Sequence, residues 1–256
     1  MNDDTPLSRS FGNQTVDEPE RERRIRLTFE AVARRYDLIN DLLSFGIHRL
    51  WKRKLAALAA PAAGQHIVDL AGGTGDVAAL MAGADRRVTV IDPSEPMMQV
   101  GRERGRPHLQ WQLGAAERLP LPDASIDTLT IAFGIRNVTR IDLAMAEVLR
   151  VLRPGGRFLC LEFSTPAPWL QPLYRWFSFA VIPRLGGWIA DSPQAYTYLV
   201  ESIRRFPDQR SFAELLKQFG LAEVHFHDLS TGIACIHIGT RPPSGGAQDS
   251  AMETQT

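Results

Sequence analysis

Alternation constrains this chain more than any other feature. From residue 66 onward, short apolar runs give way to stretches of helical spacing: "HIVDL" (66–70) before "TGDVAALMAG", "RRVTVIDPS" before "EPMMQVGRERG", then "LQWQLG", then "SIDTLTIAFG" before "RIDLAMAEVLRVL", then "GGRFLCLEF". Strands separated by helices pair in parallel, with the helices covering both faces of the sheet. The last segments depart from that order. Helix "SFAELLKQFG" leads into "AEVHFHDLS" and "GIACIHIGT", two strands around a short Thr-Gly turn that read as a terminal hairpin. The expected fold is α/β: a doubly wound, Rossmann-like sheet with a C-terminal antiparallel hairpin, preceded by N-terminal helices.

At 256 residues the chain suits one sizeable domain. Lys plus Arg and Asp plus Glu number 29 each, so no global field gathers nucleic acid, and no nucleic-acid partner is expected. The opening residues lack the features of a secretory signal, and no run approaches the roughly 20 apolar residues of a membrane span; a cytoplasmic location is expected. Cys160 and Cys235 lie in strand-like apolar runs and read as reduced, buried thiols. Residues 1–23 are polar and charged and 242–256 are rich in breakers, so both ends read as disordered around a domain spanning 24–241.

Two stretches exceed what the sheet needs. Between Thr165 and Phe206 the alternation stops, and the segment holds three of the five tryptophans. It reads as a helical insertion, either plain core or a surface for something greasy. In "YDLINDLLSFGIHRLWK" (36–52), Tyr36 and Leu43 continue an apolar stripe begun by Phe29, Val32 and Ala33. Beside it Asp37, Asn40, Ser44 and His48 recur about once per turn, up to a break at Phe45-Gly46. That polar seam is a candidate site.

"VDLAGGTGDVA" (68–78) sits where a doubly wound fold binds its cofactor, after the first strand and at the start of the first helix. Gly73, Gly75 and Ala78 fit a dinucleotide spacing, with Thr74 between the two glycines, and Asp92 ends the next strand, where a carboxylate accepts hydrogen bonds from ribose hydroxyls. A nicotinamide dinucleotide and S-adenosylmethionine would both use Asp92. Asp69, just before the loop, favours the second, whose ammonium and sulfonium accept a nearby anion that a diphosphate does not.

Three stretches resemble the ubiquinone/menaquinone biosynthesis C-methyltransferase family (UbiE/MenG). "YDLINDLLSFGIHRLW" is similar to its first signature, with Ile39 in place of Met; "AGGTGD" matches; "RVLRPGGRFLCLEFS" is similar to its second signature, with Arg153 where Lys is usual. "FGIRNVT" and "YTYLVESIRRFPDQ" also look like that family, and the similarity runs from about Phe11 to Gly239. The resemblance implies a class I S-adenosylmethionine-dependent methyltransferase fold and methylation of a ring carbon of a prenylated hydroquinone: a demethylmenaquinol, a 2-polyprenyl-6-methoxy-1,4-benzoquinol or both.

Such a carbon becomes nucleophilic once a neighbouring phenol loses a proton, normally near pH 10, so a base, a cation or both are needed. Arg136 is the expected cation for the phenolate, Asn137 its hydrogen-bonding neighbour, and His48 the expected base with Asp37 as the alternative; a structural ion pair is the competing reading of Arg136. Two positions depart from the family pattern. Ala115, before Ala116, stands where Asp or Asn usually meets the adenine, and Ala132 stands where Ser is frequent. Tyr36, Asp37 and Asn40 are expected at the quinol head. Trp169, Trp176, Phe177, Phe179, Ile182 and Trp188 are expected to line a passage for its tail, the alternative being transient contact with the membrane surface. His225 and His227 share a strand face without a third ligand, and no metal is expected. His237 reads as a core histidine. A homodimer or a quinone-biosynthesis complex is left open. The alternatives are a methyltransferase for another small apolar acceptor, a nicotinamide-dependent oxidoreductase and a non-catalytic scaffold.

Overall fold

The computed structural model describes residues 7–33, 40–41, 44, 46–172 and 193–243. Its strands are β1 (Ser10–Phe11), β2 (Gln14–Thr15), β3 (His66–Leu70), β4 (Arg87–Asp92), β5 (Leu109–Leu113), β6 (Ile126–Ala132), β7 (Leu152–Phe163), β8 (Ala222–Leu229) and β9 (Ala234–Thr240). The helices named below are α1 (Glu18–Val32), α2 (Ile47–Ala59), α3 (Asp76–Met81), α4 (Glu95–Glu103), α5 (Ile141–Val151), α6 (Pro193–Arg205) and α7 (Gln209–Gln218).

Seven strands form one sheet in the order β5-β4-β3-β6-β7-β9-β8. The first five are parallel; β9 runs antiparallel to β7 and β8 pairs antiparallel with β9. The near-continuous apolar character of "HIVDL" and "IDTLTIA" follows from burial on both faces. Their period of two divides the core: Val68, Leu70, Phe158 and Cys160 pack against α5 and α7, whereas Ile67, Leu159 and Leu161 pack against Trp51, Leu55 and Met81 on α2 and α3. The expected α/β class, parallel sheet and terminal hairpin are all observed.

The N-terminal boundary requires correction. Residues 7–23 are structured, not loose: a 3-10 turn (Leu7–Arg9), the β1–β2 hairpin and the first turn and a half of α1. The segment is polar because it is held by hydrogen bonds in place of apolar burial. Asp17 caps α1 by accepting the Glu20 amide at 2.9 Å, with Pro19 in the first turn. Arg21, 2 % exposed, donates to Ser10 O, Asn137 O, Thr139 Oγ1 and Arg136 O, tying α1 to the loop after β6. Phe11 stacks on Tyr198 of α6 at 4.3 Å. Within the insertion, residues 173–192 lie outside the described residues; α6 forms its return. The last described residue is Pro243.

Candidate active site

In the strand order, the chain winds outward from β3 to β5 and then returns to place β6 against the other side of β3. The carboxyl ends of β3 and β6 thus diverge at a switch point, the usual place for a crevice in an open α/β sheet. A cavity of about 590 Å³ opens there. Its floor is the β3 loop (Asp69, Gly72, Gly73, Thr74), its sides are Asp92 and the loops after β5 and β6, and α1 contributes Glu22, Arg26 and Phe29.

The β3 loop is shaped by close approach. A Cβ on Gly72 would stand 2.9 Å from Asp69 O and from Val90 Cγ1, and Gly73 adopts φ +53°. The Gly73 amide donates to Asp92 Oδ2 at 2.8 Å, while the Ser94 amide donates to Oδ1 at 2.8 Å. Each Asp92 oxygen therefore keeps one lone pair for a ligand. Burial pushes the Asp92 carboxyl up to about 6. Asp69 is deeper: Oδ1 accepts from Thr130 Oγ1 at 2.9 Å and Oδ2 from the Ala78 amide at 3.0 Å, and burial raises its pKa to about 7.

Of the residues expected to bind a cofactor, Asp69, Gly73, Thr74, Asp92, Ala115, Ala116 and Ala132 all line the cavity. Gly75 does not. It caps α3 with φ +74°, and a Cβ there would stand 2.7 Å from the Trp111 ring, so its place in the motif is conformational.

The residues expected to carry catalysis divide. Asn137 lines the cavity, its Nδ2 donating to Phe133 O at 3.3 Å and its Oδ1 accepting from Tyr198 Oη at 2.9 Å. Arg136 is turned away. Its guanidinium is 4 % exposed and donates to Glu162 Oε1 and Phe133 O, both at 2.7 Å. The expected cation facing the acceptor is thus corrected to the buried ion pair. A buried guanidinium gains more from a buried carboxylate than from a cavity wall, and Glu162 sits in the adjacent strand β7.

His48 is also corrected. It does not line the cavity; its ring is buried, with Nε2 2.9 Å from Asp41 Oδ1, and burial lowers its pKa. Ser44 Oγ donates to Asn40 O at 2.7 Å and accepts the His48 amide at 3.3 Å. The described part of the polar seam is engaged along its own helix turns, Asn40 through its carbonyl, and does not line this cavity. Tyr36 and Asp37, like Trp176, Phe177, Phe179, Ile182 and Trp188, lie outside the described residues. Trp169 is described and is 74 % exposed.

Sequence reasoning placed a helix in this region but missed its charged first turns and its part in the cavity wall; the Asp17–Pro19 cap was the available signal. It also missed Lys52, Asp76 and Glu117, which line the cavity without belonging to a glycine-loop pattern.

The model of the ubiE/COQ5 methyltransferase family matches residues 17–241. A ubiquinone/menaquinone biosynthesis C-methyltransferase UbiE of Rubrivivax gelatinosus is 73% identical over 241 residues, covering 94% of this chain and 96% of that protein. The protein of the same name from Caulobacter vibrioides is 47% identical, covering 91% and 97%. Among solved structures, a SAM-dependent methyltransferase of Thermotoga maritima superposes with TM-score 0.61 at 20% identity, over 85% of this chain and 99% of that one. The [4+2]-cyclase SpnF superposes with TM-score 0.55 at 17% identity, over 75% and 81%. These last two share the class I methyltransferase fold and, having different activities, speak for the fold alone. Strand order, cavity, family model and relatives agree: the chain belongs to the ubiE/COQ5 methyltransferase family.

Proposed function

We propose that this protein transfers the methyl group of S-adenosylmethionine to a ring carbon of a prenylated hydroquinone in respiratory quinone biosynthesis. The observation that carries the reading is the 73% identity to a UbiE C-methyltransferase over nearly the full length of both chains. When bound, S-adenosylmethionine supplies an electrophilic methyl group on a sulfonium.

The residues present fit that donor. Asp92 offers one unused lone pair on each oxygen at the end of β4, the donor set for two ribose hydroxyls. Gly72 and Gly73 keep the loop low enough for a ligand to cross the end of β3. Ala115 and Ala116 flank the adenine end with backbone and methyl groups only, so adenine is held there without a side-chain acceptor from position 115.

On the acceptor side, Asn137 presents its amide at the cavity wall, anchored by Tyr198 and Phe133 O so that it cannot swing freely. Arg136 acts through the Glu162 pair, which fixes the backbone on which Asn137 stands. Phe29 and Phe133 add apolar surface to the cavity wall and help exclude water. Tyr36, Asp37, Trp176 and Phe179 remain part of the reading through the sequence: the first two at the quinol head, the last two along a tail that belongs in the bilayer. Contact with the membrane surface follows from such a substrate. Among the described residues no helix is long and apolar enough to cross a membrane.

The test is direct. Purified protein, S-adenosylmethionine and a short-tailed demethylmenaquinol or methoxybenzoquinol, kept reduced, should yield the ring-methylated product by mass spectrometry. Binding of S-adenosylhomocysteine with no methylation of either quinol class would leave the cofactor reading and overturn the acceptor.

A further inference from the structure

One buried cation has no part in the account so far. Lys52 on α2 is 8 % exposed and lines the cavity beside Asp69, Gly72 and Asp76. Lysine is almost never buried without compensation. Its Nζ lies 3.2 Å from Asp76 Oδ2. That carboxylate is shared, however: Asp76 Oδ1 also accepts from Arg104 at 3.3 Å and from Arg106. One carboxylate meets three cations. A donor surplus shows in the geometry as well, since Arg106 Nη1 is buried without a hydrogen-bond partner. The other acid close by, Asp69, lies deeper, and each of its oxygens already accepts one hydrogen bond, from Thr130 and from the Ala78 amide. Lys52 is therefore the cavity-lining cation here whose carboxylate partner is already shared, and it is suited to an anionic ligand group.

Strand order says which group arrives there. β3 lies between β4 and β6, so a ligand whose ribose meets Asp92 at the end of β4 crosses the end of β3 next, one strand spacing of about 4.8 Å further on. In S-adenosylmethionine the part beyond ribose and sulfur is an α-amino acid, which ends in a carboxylate. We propose that Lys52 is the counter-ion of that carboxylate, a binding residue that positions the methionine end of the donor. The assignment rests on the donor reading above.

The experiment uses calorimetric titration of the full chain with S-adenosylhomocysteine and with 5′-methylthioadenosine, which keeps the nucleoside and the sulfur but lacks the amino acid. Lys52→Met should weaken S-adenosylhomocysteine about 10- to 100-fold, the range for a hydrogen bond to a charged group, and leave methylthioadenosine within about threefold. Lys52→Arg should restore most of the loss. Equal weakening of both ligands overturns the assignment and makes Lys52 a structural partner of Asp76, as does an unchanged affinity for S-adenosylhomocysteine. Should Lys52→Met fail to fold, the wild-type protein carries the test with decarboxylated S-adenosylhomocysteine. Binding as tight as that of the intact compound overturns the proposal. A wild-type protein that binds no S-adenosylhomocysteine at all overturns the donor reading instead.

Discussion

Asp69 and Asp92 stand at the carboxyl ends of adjacent parallel strands, Asp69 next to last in β3 and Asp92 last in β4, and burial holds both carboxyls well above the usual range, at about 7 and about 6. The sign of the effect on stability follows. Each folded-state pKa exceeds its unfolded value, so each group's contribution is complete below about pH 4 and is lost as pH rises through about 6 and 7. A ligand that donates hydrogen bonds to Asp92 and brings an ammonium near Asp69 favours the ionised forms and reverses that loss. Binding of S-adenosylhomocysteine should therefore tighten by roughly tenfold or more from about pH 5.5 to about pH 7.5, with net proton release on binding. Calorimetry in buffers of different ionisation enthalpy reads both quantities. Asp92→Asn should flatten the lower part of the profile, and a pH-independent affinity would contradict these assignments. Both acids were legible in the sequence because the carboxyl end of a strand fixes where a side chain must stand, before the glycine loop for Asp69 and as the last residue of β4 for Asp92. Arg136 and His48 were not: spacing says which residues are near, whereas the choice of partner depends on Glu162 and Asp41, carboxylates that pattern alone does not pair with them.

At the level of elements, the loop after β6 is held from two directions. Arg21 of α1 donates to its backbone at residues 136 and 137, and Arg136 reaches across to Glu162 of β7 while its guanidinium lies 5.6 Å from the Phe163 ring centroid. The loop's conformation thus depends on buried charge. Arg136→Met alone leaves Glu162 as an unpaired buried carboxyl and should cost about 3–5 kcal/mol of stability in urea unfolding. Adding Glu162→Leu removes the orphan and should recover most of that loss, since apolar replacement of a whole buried pair is often neutral. A double variant as unstable as the single one would show that the pair does more than compensate itself. The existence of α5, α7 and the strands could be read from periodicity, because apolar burial leaves a period. The first turns of α1 hide from such a reading because Arg21 is buried among carbonyls and a hydroxyl, an arrangement with no hydropathy signal.

For the whole molecule, the parallel sheet and the terminal hairpin followed from alternation, and the cavity's place follows from the strand order. What the acceptor's tail meets did not, because aromatic clustering looks the same in a core as in a passage. The two are separable by experiment. If Trp176 and Phe179 line the passage, replacing both with Ser should raise the apparent KM for a long-tailed quinol by roughly tenfold or more and affect a short-tailed analogue far less. Melting temperature and S-adenosylhomocysteine affinity, measured alongside, separate this from loss of fold. Equal loss on both quinols would make the cluster ordinary core. At the far side of the sheet, β8 bears its exposed residues in a row, Glu223, His225, His227 and Asp228, with a register irregularity between Ala222 and His225 and a positive φ at Glu223. A charged, bulged rim offers a poor template for another strand, so growth of the sheet by edge addition is discouraged at its hairpin end.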